Sequence, residues 1–293
     1  MSKREKFLVF FALFCLFCFR LDLAASSQSA PTAQDGDGLR LSTPEEIKSE
    51  FNSVPCKNEE RQSAVKSLFE RMGADPADIT IDKYKKVENV VIRKASSSPE
   101  SGNEKIVIGA HYDKTAMGCG AVDNWTGIVA LAHIYRTLKN VPLNKTVLFI
   151  AFGEEEKGLV GSAAMVEPIK KEEAADYCAM INMDSFGLDD LQVIDDISSK
   201  KLVKLVENLA KEENVPFKRV YFSGGSSDSD SFLKKNIPAI TLHGLSSNWK
   251  NILHTGFDKP TMIKPEGVYQ GYRLALALLV DIDKSSCREF RKK

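Results

Sequence analysis

Residues with metal-binding chemistry sit at the ends of short apolar runs. "IVIGAHYD" ends in His111 and Asp113, "VLFIAFGEEE" in Glu154, Glu155 and Glu156, and "CAMINMD" in Asp184. "AITLHG" ends at His243, "ILHTGFD" supplies His254, and Asp123 opens the stretch "DNWTGIVALAHIYRTL". A single carboxylate at a helix start is ordinary, because it complements the helix dipole. A series of them at successive strand ends, joined by His111 and His254, calls for another account. Zinc accepts imidazole nitrogen and carboxylate oxygen. A pair of zincs roughly 3.5–4 Å apart needs a bridging carboxylate and about two further ligands each. Hydrolysis also needs a carboxylate outside the ligand set to accept a proton from the attacking water. Two histidines, three acidic ligands and one free glutamate are all available here in a sensible order. Residues i and i+2 of a strand point the same way. Asp113 can therefore fix the imidazole of His111 from behind, as second-shell carboxylates do, or be a ligand itself.

These groups need a frame that gathers strand ends. "NVVIRKA", "KIVIGAHYD", "TVLFIAFG", "YCAMINMDS" and "IPAITLHG" are short runs rich in Val and Ile. Helical patterns over 124–139, 160–170, 199–213, 228–235 and 265–284 separate or follow them, and "ERQSAVKSLFERMGA" is a further helix with a Gly stop. Near "STPEEI", Ser42 is expected to cap a helix with Pro44 in its first turn. Continuous apolar strands alternating with helices predict an α/β fold, three-layered, with a mostly parallel central sheet covered on both faces. Ligands of such sheets bind outside the carboxyl ends of the strands, where the acidic residues and histidines lie.

The chain has 293 residues, and 40 basic residues balance 40 acidic ones. The basic residues are scattered without aromatic interleaving, so neither nucleic acid nor an anionic membrane surface is indicated. The N-terminus differs: Lys3, Arg4 and Lys6 precede an apolar run from Phe7 to Phe19, followed by small residues. The run is too short for a spanning helix and suits a signal peptide over 1–25, cleaved near Ala25. Residues 26–38 read as a flexible linker and 39–293 as one catalytic domain. The expected product is secreted or periplasmic, with no stable membrane association after cleavage. Cys56, Cys119, Cys178 and Cys287 remain, an even count that permits disulfides without fixing their pairing. His133 lies inside the 124–139 helix and reads as a packed or surface residue. Two glycosylation sequons occur, at Asn124 and Asn144; the first is expected to be buried and unused.

The blocks "GAHYDKT", "GAVDNWTGIVALAHI", "FIAFGEEEKGLVGSAAM", "INMDSFG", "SSDSDSF" and "ILHTGFD" resemble the co-catalytic zinc aminopeptidases, metallopeptidase family 28. The resemblance spans residues 103–284 and keeps the motifs in the family's order. It implies a zinc exopeptidase fold and two zinc ions, with other divalent metals such as cobalt or manganese able to serve. His111 and Asp184 would hold one metal, Glu156 and His254 the other, and Asp123 would bridge them. Glu155 would be the general base, with Glu154 at a variable position. The Asp123–Asn124 peptide, often cis in the family, would be cis here. Peptides with a free N-terminus would be the substrates.

Two positions depart from that pattern. Ser227-Asp228-Ser229 stands where relatives often have Ser-Asp-His, and Gly224-Gly225 aligns with a tyrosine that assists some relatives. Asp228, Tyr221 and His243 are therefore the candidate substrate-side residues, with Tyr112 a further possibility for the tyrosine's role. A glutaminyl cyclase or a carboxypeptidase of the same fold is the alternative reading. His111 argues against the first, and the absence of Arg from the strand-end motifs against the second. A metal-free scaffold protein would have lost ligands that are all present here. H-E-x-x-H, G-x-S-x-G and P-loop signatures are absent.

Overall fold

The computed structural model describes residues 40–221 and 225–291. The expected leader and linker, and Gly224, lie outside them. Four strands form a parallel centre: β3 (Lys105–His111), β4 (Thr146–Phe152), β5 (Tyr177–Met183) and β8 (Ala239–His243), in the order β4-β3-β5-β8. β1 (Ile79–Tyr84) and β2 (Val87–Lys94) extend the sheet beyond β4 as an antiparallel hairpin. β6 (Leu191–Ile194) and β7 (Phe217–Val220) extend it beyond β8, with β6 antiparallel to β8. The eight-stranded sheet is thus mixed at its flanks and parallel where the acidic strand ends converge. The link at Lys85 and Lys86 is too short for a crossover, so β1 and β2 must run antiparallel.

Helices cover both faces. α1 (Pro44–Ser49), α2 (Asn58–Arg71), α3 (Thr126–Leu138), α5 (Lys200–Glu212) and α7 (Pro265–Lys284) share one face, and α4 (Val160–Val166) and α6 (Ser229–Lys234) the other. Strand alternation sorts the core accordingly. Ile106 and Ile108 pack with Ile128, Leu131 and Leu278 on the first side, while Val107, Ile150 and Phe152 meet Val166 and Phe232 on the second. α7 begins and ends where its apolar spacing predicted.

The first helix starts differently from expectation. Thr43, not Ser42, is its cap: the Thr43 hydroxyl accepts from the Glu46 N–H at 3.3 Å, and Glu46 accepts from the Thr43 N–H at 2.8 Å. That reciprocal pair is the capping box that Thr43 and Glu46 encode. Ser42 is buried instead, its hydroxyl 2.8 Å from His133 Nδ1 and its N–H donating to the Tyr272 hydroxyl. His133 is a packed core residue, as expected.

Two disulfides form, Cys56–Cys119 and Cys178–Cys287. Such bonds fit an oxidising, extracellular setting. No helix among the described residues is long and apolar enough to cross a membrane. The Asn124 sequon is fully buried. Asn144 is exposed, and its Nδ2 donates to Asp283 near the end of α7 at 3.1 Å.

Candidate metal centre

Three strand ends and two loops bring the acidic residues and histidines together. His111 ends β3, Asp184 follows β5, Glu155 and Glu156 follow β4, Asp123 precedes α3, and His254 lies beyond β8. The side chain of Asp123 is central. Its Oδ1 lies 3.1 Å from His111 Nε2, and its Oδ2 lies 3.0 Å from His254 Nε2. Asp184 Oδ1 approaches His111 Nε2 at 3.6 Å, and Glu156 Oε2 approaches His254 Nε2 at 3.2 Å. Two clusters result, His111–Asp123–Asp184 and Asp123–Glu156–His254, with Asp123 common to both.

The backbone here is aimed rather than relaxed. Glu154, Leu159, Ser185 and His254 all have left-handed φ, near +60°. Non-glycine residues in that region cost of order 1–3 kcal/mol each and tend to gather at functional sites. The Asp123–Asn124 peptide is cis.

Buried polar contacts fix the loops. The Asp113 carboxylate accepts from the Glu155 N–H at 2.9 Å and from the Glu156 N–H at 3.2 Å. Its Oδ1 also lies 3.5 Å from His111 Nδ1, on the ring edge opposite Asp123. Asp113 therefore supports both His111 and the glutamate pair from behind. Ser227 Oγ donates to Asp184 Oδ2 at 2.6 Å and accepts from Asn182 Nδ2 at 2.6 Å. Asp258 caps the turn before α3, accepting from Ala121, Val122 and Asp123. Arg61, fully buried, donates to the carbonyls of Tyr112, Pro55, Cys119 and Gly120 and lies over the Trp125 ring. The Cys56–Cys119 bond ties the same loop to the start of α2.

Burial pushes the Glu155 carboxyl up to about 10, reinforced by Asp184, Asp228 and Asp123 although His111 opposes it. Burial alone would lower the His111 pKa, but Glu155, Asp113, Asp123 and Asp184 raise it well above its ordinary value. Hydrogen bonds to Asp123 and Glu156 lift His254 to about 10. Burial drives Arg61 down to about 10 while Asp113, Asp123, Asp258 and Glu156 oppose the change. The site is an acidic concentration that favours cations and retained protons.

A cleft of about 310 Å³ opens onto these groups. Ile194, Leu245, Trp249 and Leu253 give it an apolar wall, and His243 also lines it. His243 Nδ1 accepts from the Leu245 N–H at 3.2 Å, which leaves the ring proton on Nε2, and burial lowers its pKa to about 4. The other substrate-side candidates sit elsewhere. Tyr221 is 71% exposed, just past the end of the edge strand β7, and does not line the cleft. The Tyr112 hydroxyl donates to the Glu88 carbonyl, away from the metal cluster. Asp228 is fully buried, outside the cleft wall, and burial raises it to about 7. Glu154 pairs with Lys157 at the surface.

The sequence pattern described as Peptidase family M28 matches residues 89–279. The chain belongs to peptidase family M28. Among M28 relatives it is 26% identical to "Leucine aminopeptidase 2" of Trichophyton equinum over 188 residues, 59% of this chain and 38% of that protein. It is 38% identical to "Aminopeptidase YwaD" of Bacillus subtilis over 82 residues, 28% of this chain and 18% of that protein. The chain thus spans well under half the length of these curated relatives. A zinc aminopeptidase structure from Bacillus subtilis superposes with TM-score 0.61 at 25% identity, covering 70% of this chain and 53% of that one. A glutaminyl cyclase from an Acidobacteriales bacterium shares the fold at TM-score 0.70 and 15% identity, covering 90% of this chain and 99% of that one.

The donor set of this M28 chain suits zinc. Ligand atoms about 2.0–2.1 Å from a tetrahedral zinc lie about 3.3 Å from one another, and the four nitrogen–oxygen separations span 3.0–3.6 Å. Glu156 Oε1 is buried without a hydrogen-bond partner among the described residues, as befits an oxygen awaiting a cation. Sequence reasoning overlooked Arg61 and Asp258. Arg61 did leave a signal, since it falls on the buried stripe Arg61–Val65–Leu68–Phe69 of α2. Asp258 left none beyond its place in "ILHTGFD".

Proposed function

We propose that this chain is an exported dizinc aminopeptidase that removes N-terminal residues from peptides. The observation carrying the reading is the division of Asp123: each carboxylate oxygen faces a different histidine, at 3.1 and 3.0 Å. His111 and Asp184 would hold one zinc, Glu156 and His254 the other, with Asp123 shared. When bound, zinc supplies Lewis-acid polarisation of a carbonyl and increased acidity of a water. Glu155 takes the proton from the attacking water on its carboxylate and returns it to the leaving amine. Asp113 keeps Glu155 in place through its backbone N–H.

The apolar wall of the cleft suits an apolar first side chain, and the surrounding carboxylates suit a free α-amino group. No Arg or Lys occurs among the described lining residues, so nothing there pairs with a substrate carboxylate, which disfavours a carboxypeptidase. Aminopeptidase relatives support the reaction class. Cysteine pairing and the N-terminal sequence support export.

The test is a metal-stripped protein reloaded with zinc and offered aminoacyl-nitroanilides. About two zincs per chain with release of nitroaniline is the expected result. One zinc with cyclisation of N-terminal glutamine would mark a glutaminyl cyclase instead.

A further inference from the structure

Asn124 follows Asp123 directly, yet its side chain is spent on Asp184. Its Nδ2 donates to the Met183 carbonyl at 2.8 Å, and its Oδ1 accepts from the Ser185 N–H at 3.0 Å. Met183 and Ser185 are the residues on either side of Asp184. The same Oδ1 accepts from the Gly127 N–H at 3.0 Å, in the first turn of α3. Asn124 is completely buried. One planar group thus joins the segment carrying Asp123, the strand end carrying Asp184 and the start of α3.

We propose that Asn124 is a positioning residue that sets the separation of Asp123 and Asp184, and thereby the geometry and affinity of the zinc held by His111, Asp123 and Asp184. The proposal rests on the dizinc reading above. The chemistry required is specific: one donor and one oxygen with two lone pairs, in a plane, on a short stem. Among the side chains only asparagine meets it. Aspartate has the same shape but would set an oxygen against the Met183 carbonyl and bury a third charge beside Asp123 and Asp184. Serine lacks the reach and leaves buried backbone groups unpaired. Ser185 makes the clamp matter more. It adopts φ +63° as a non-glycine residue, and the bond to its N–H holds it there. The site has little slack, since a Cβ at Gly127 would come within 2.4 Å of Asn124 Oδ1 and 2.6 Å of the Met183 carbonyl.

The experiment compares the full chain with its Asn124→Asp variant in zinc titrations against a chromophoric chelator and in visible spectra after cobalt substitution. The variant is expected to bind one of its two equivalents at least tenfold more weakly, with a changed cobalt spectrum and an intact circular dichroism spectrum. Wild-type affinity for both equivalents and an unchanged cobalt spectrum in a folded variant would overturn the proposal. A measurement on the wild type alone keeps it testable if the variant does not fold: hydrogen exchange at the Ser185 amide. Protection of that amide in metal-free protein supports a clamp that exists before metal arrives, whereas free exchange overturns it. Wild-type protein that binds fewer than two zincs overturns the dizinc reading, and this inference with it. Two zincs bound with the same affinities by wild type and variant overturn the inference alone.

Discussion

Asp258 holds Asp123 by its backbone across 135 residues of sequence. One carboxylate oxygen accepts from the N–H groups of Ala121 and Val122 at 2.8 and 2.7 Å, and the other accepts from that of Asp123 at 3.2 Å. An acid thereby orients a second acid without touching its side chain. The arrangement satisfies backbone donors that the turn into α3 would otherwise leave open.

Replacing Asp258 with Asn puts an amide NH₂ where one of those donors needs an acceptor. The expected cost is about 1–3 kcal/mol of stability, with weaker zinc binding because Asp123 loses its anchor. Urea denaturation and a zinc titration read the two effects separately. Unchanged values in both would remove Asp258 from the machinery.

Glu155→Gln keeps the size of the side chain and removes its basicity. Turnover of an aminoacyl-nitroanilide should fall about 10²–10⁴-fold, the range typical of general acid–base catalysis, with zinc content unchanged. Retained turnover would assign the proton transfer to another group.

The two disulfides should differ in accessibility. Cys56 is exposed and Cys119 half-buried, whereas Cys178 and Cys287 are buried. A mild thiol reductant followed by alkylation should label Cys56 and Cys119 first, as read by peptide mass spectrometry. Removing that bond by Cys56→Ser with Cys119→Ser should cost about 2–4 kcal/mol. Zinc affinity should fall too, because Arg61 and Asp258 brace the same loop. Equal labelling of both pairs would contradict the assigned difference.

His133 gives a pH dependence away from the metals. Burial, with Arg136 nearby, lowers its pKa from 6.5 to about 4. Between those values the unfolded chain binds the proton more readily than the folded one, so stability must rise with pH across that window. His133 therefore contributes above about 6.5, and its contribution fades as pH falls towards about 4. A tenfold change in proton affinity is worth roughly 1.4 kcal/mol, which sets a ceiling of about 3 kcal/mol. Comparing the pH dependence of melting for wild type and His133→Gln isolates the residue. Parallel curves would show that its protonation is not linked to folding.

The parallel centre was legible because burial on both faces leaves an unbroken run of Val and Ile, as in β3. Of the outer strands, only β2 was legible. β1, "ITIDKY", is half polar at the sheet's edge, and β6 and β7 have only four residues each. Metal-ligand candidates could be read because zinc chemistry restricts residue types and strand ends restrict positions. Their supports could not, because Asp258 and Arg61 act through backbone groups far away in sequence. Ser42 and Thr43 show a finer limit: each stands three residues before a glutamate, Glu45 and Glu46, and it is the long-range contacts of buried Ser42 with His133 and Tyr272 that leave Thr43 as the cap. Tyr221 does not reach the cleft: it is exposed just past the end of the edge strand β7.

Asn144 offers its glycosylation sequon and its bond to Asp283 on the same nitrogen. Asp283 lies in the last helix, 139 residues further along the chain. While the chain is being synthesised, that nitrogen is free long before its partner emerges. Sugar transfer to Asn144 and final docking of α7 would therefore compete for one atom, and the order of events would decide between them. A chain modified early would have to close its final helix without this bond; a chain folded first would present the sequon with its acceptor nitrogen already engaged.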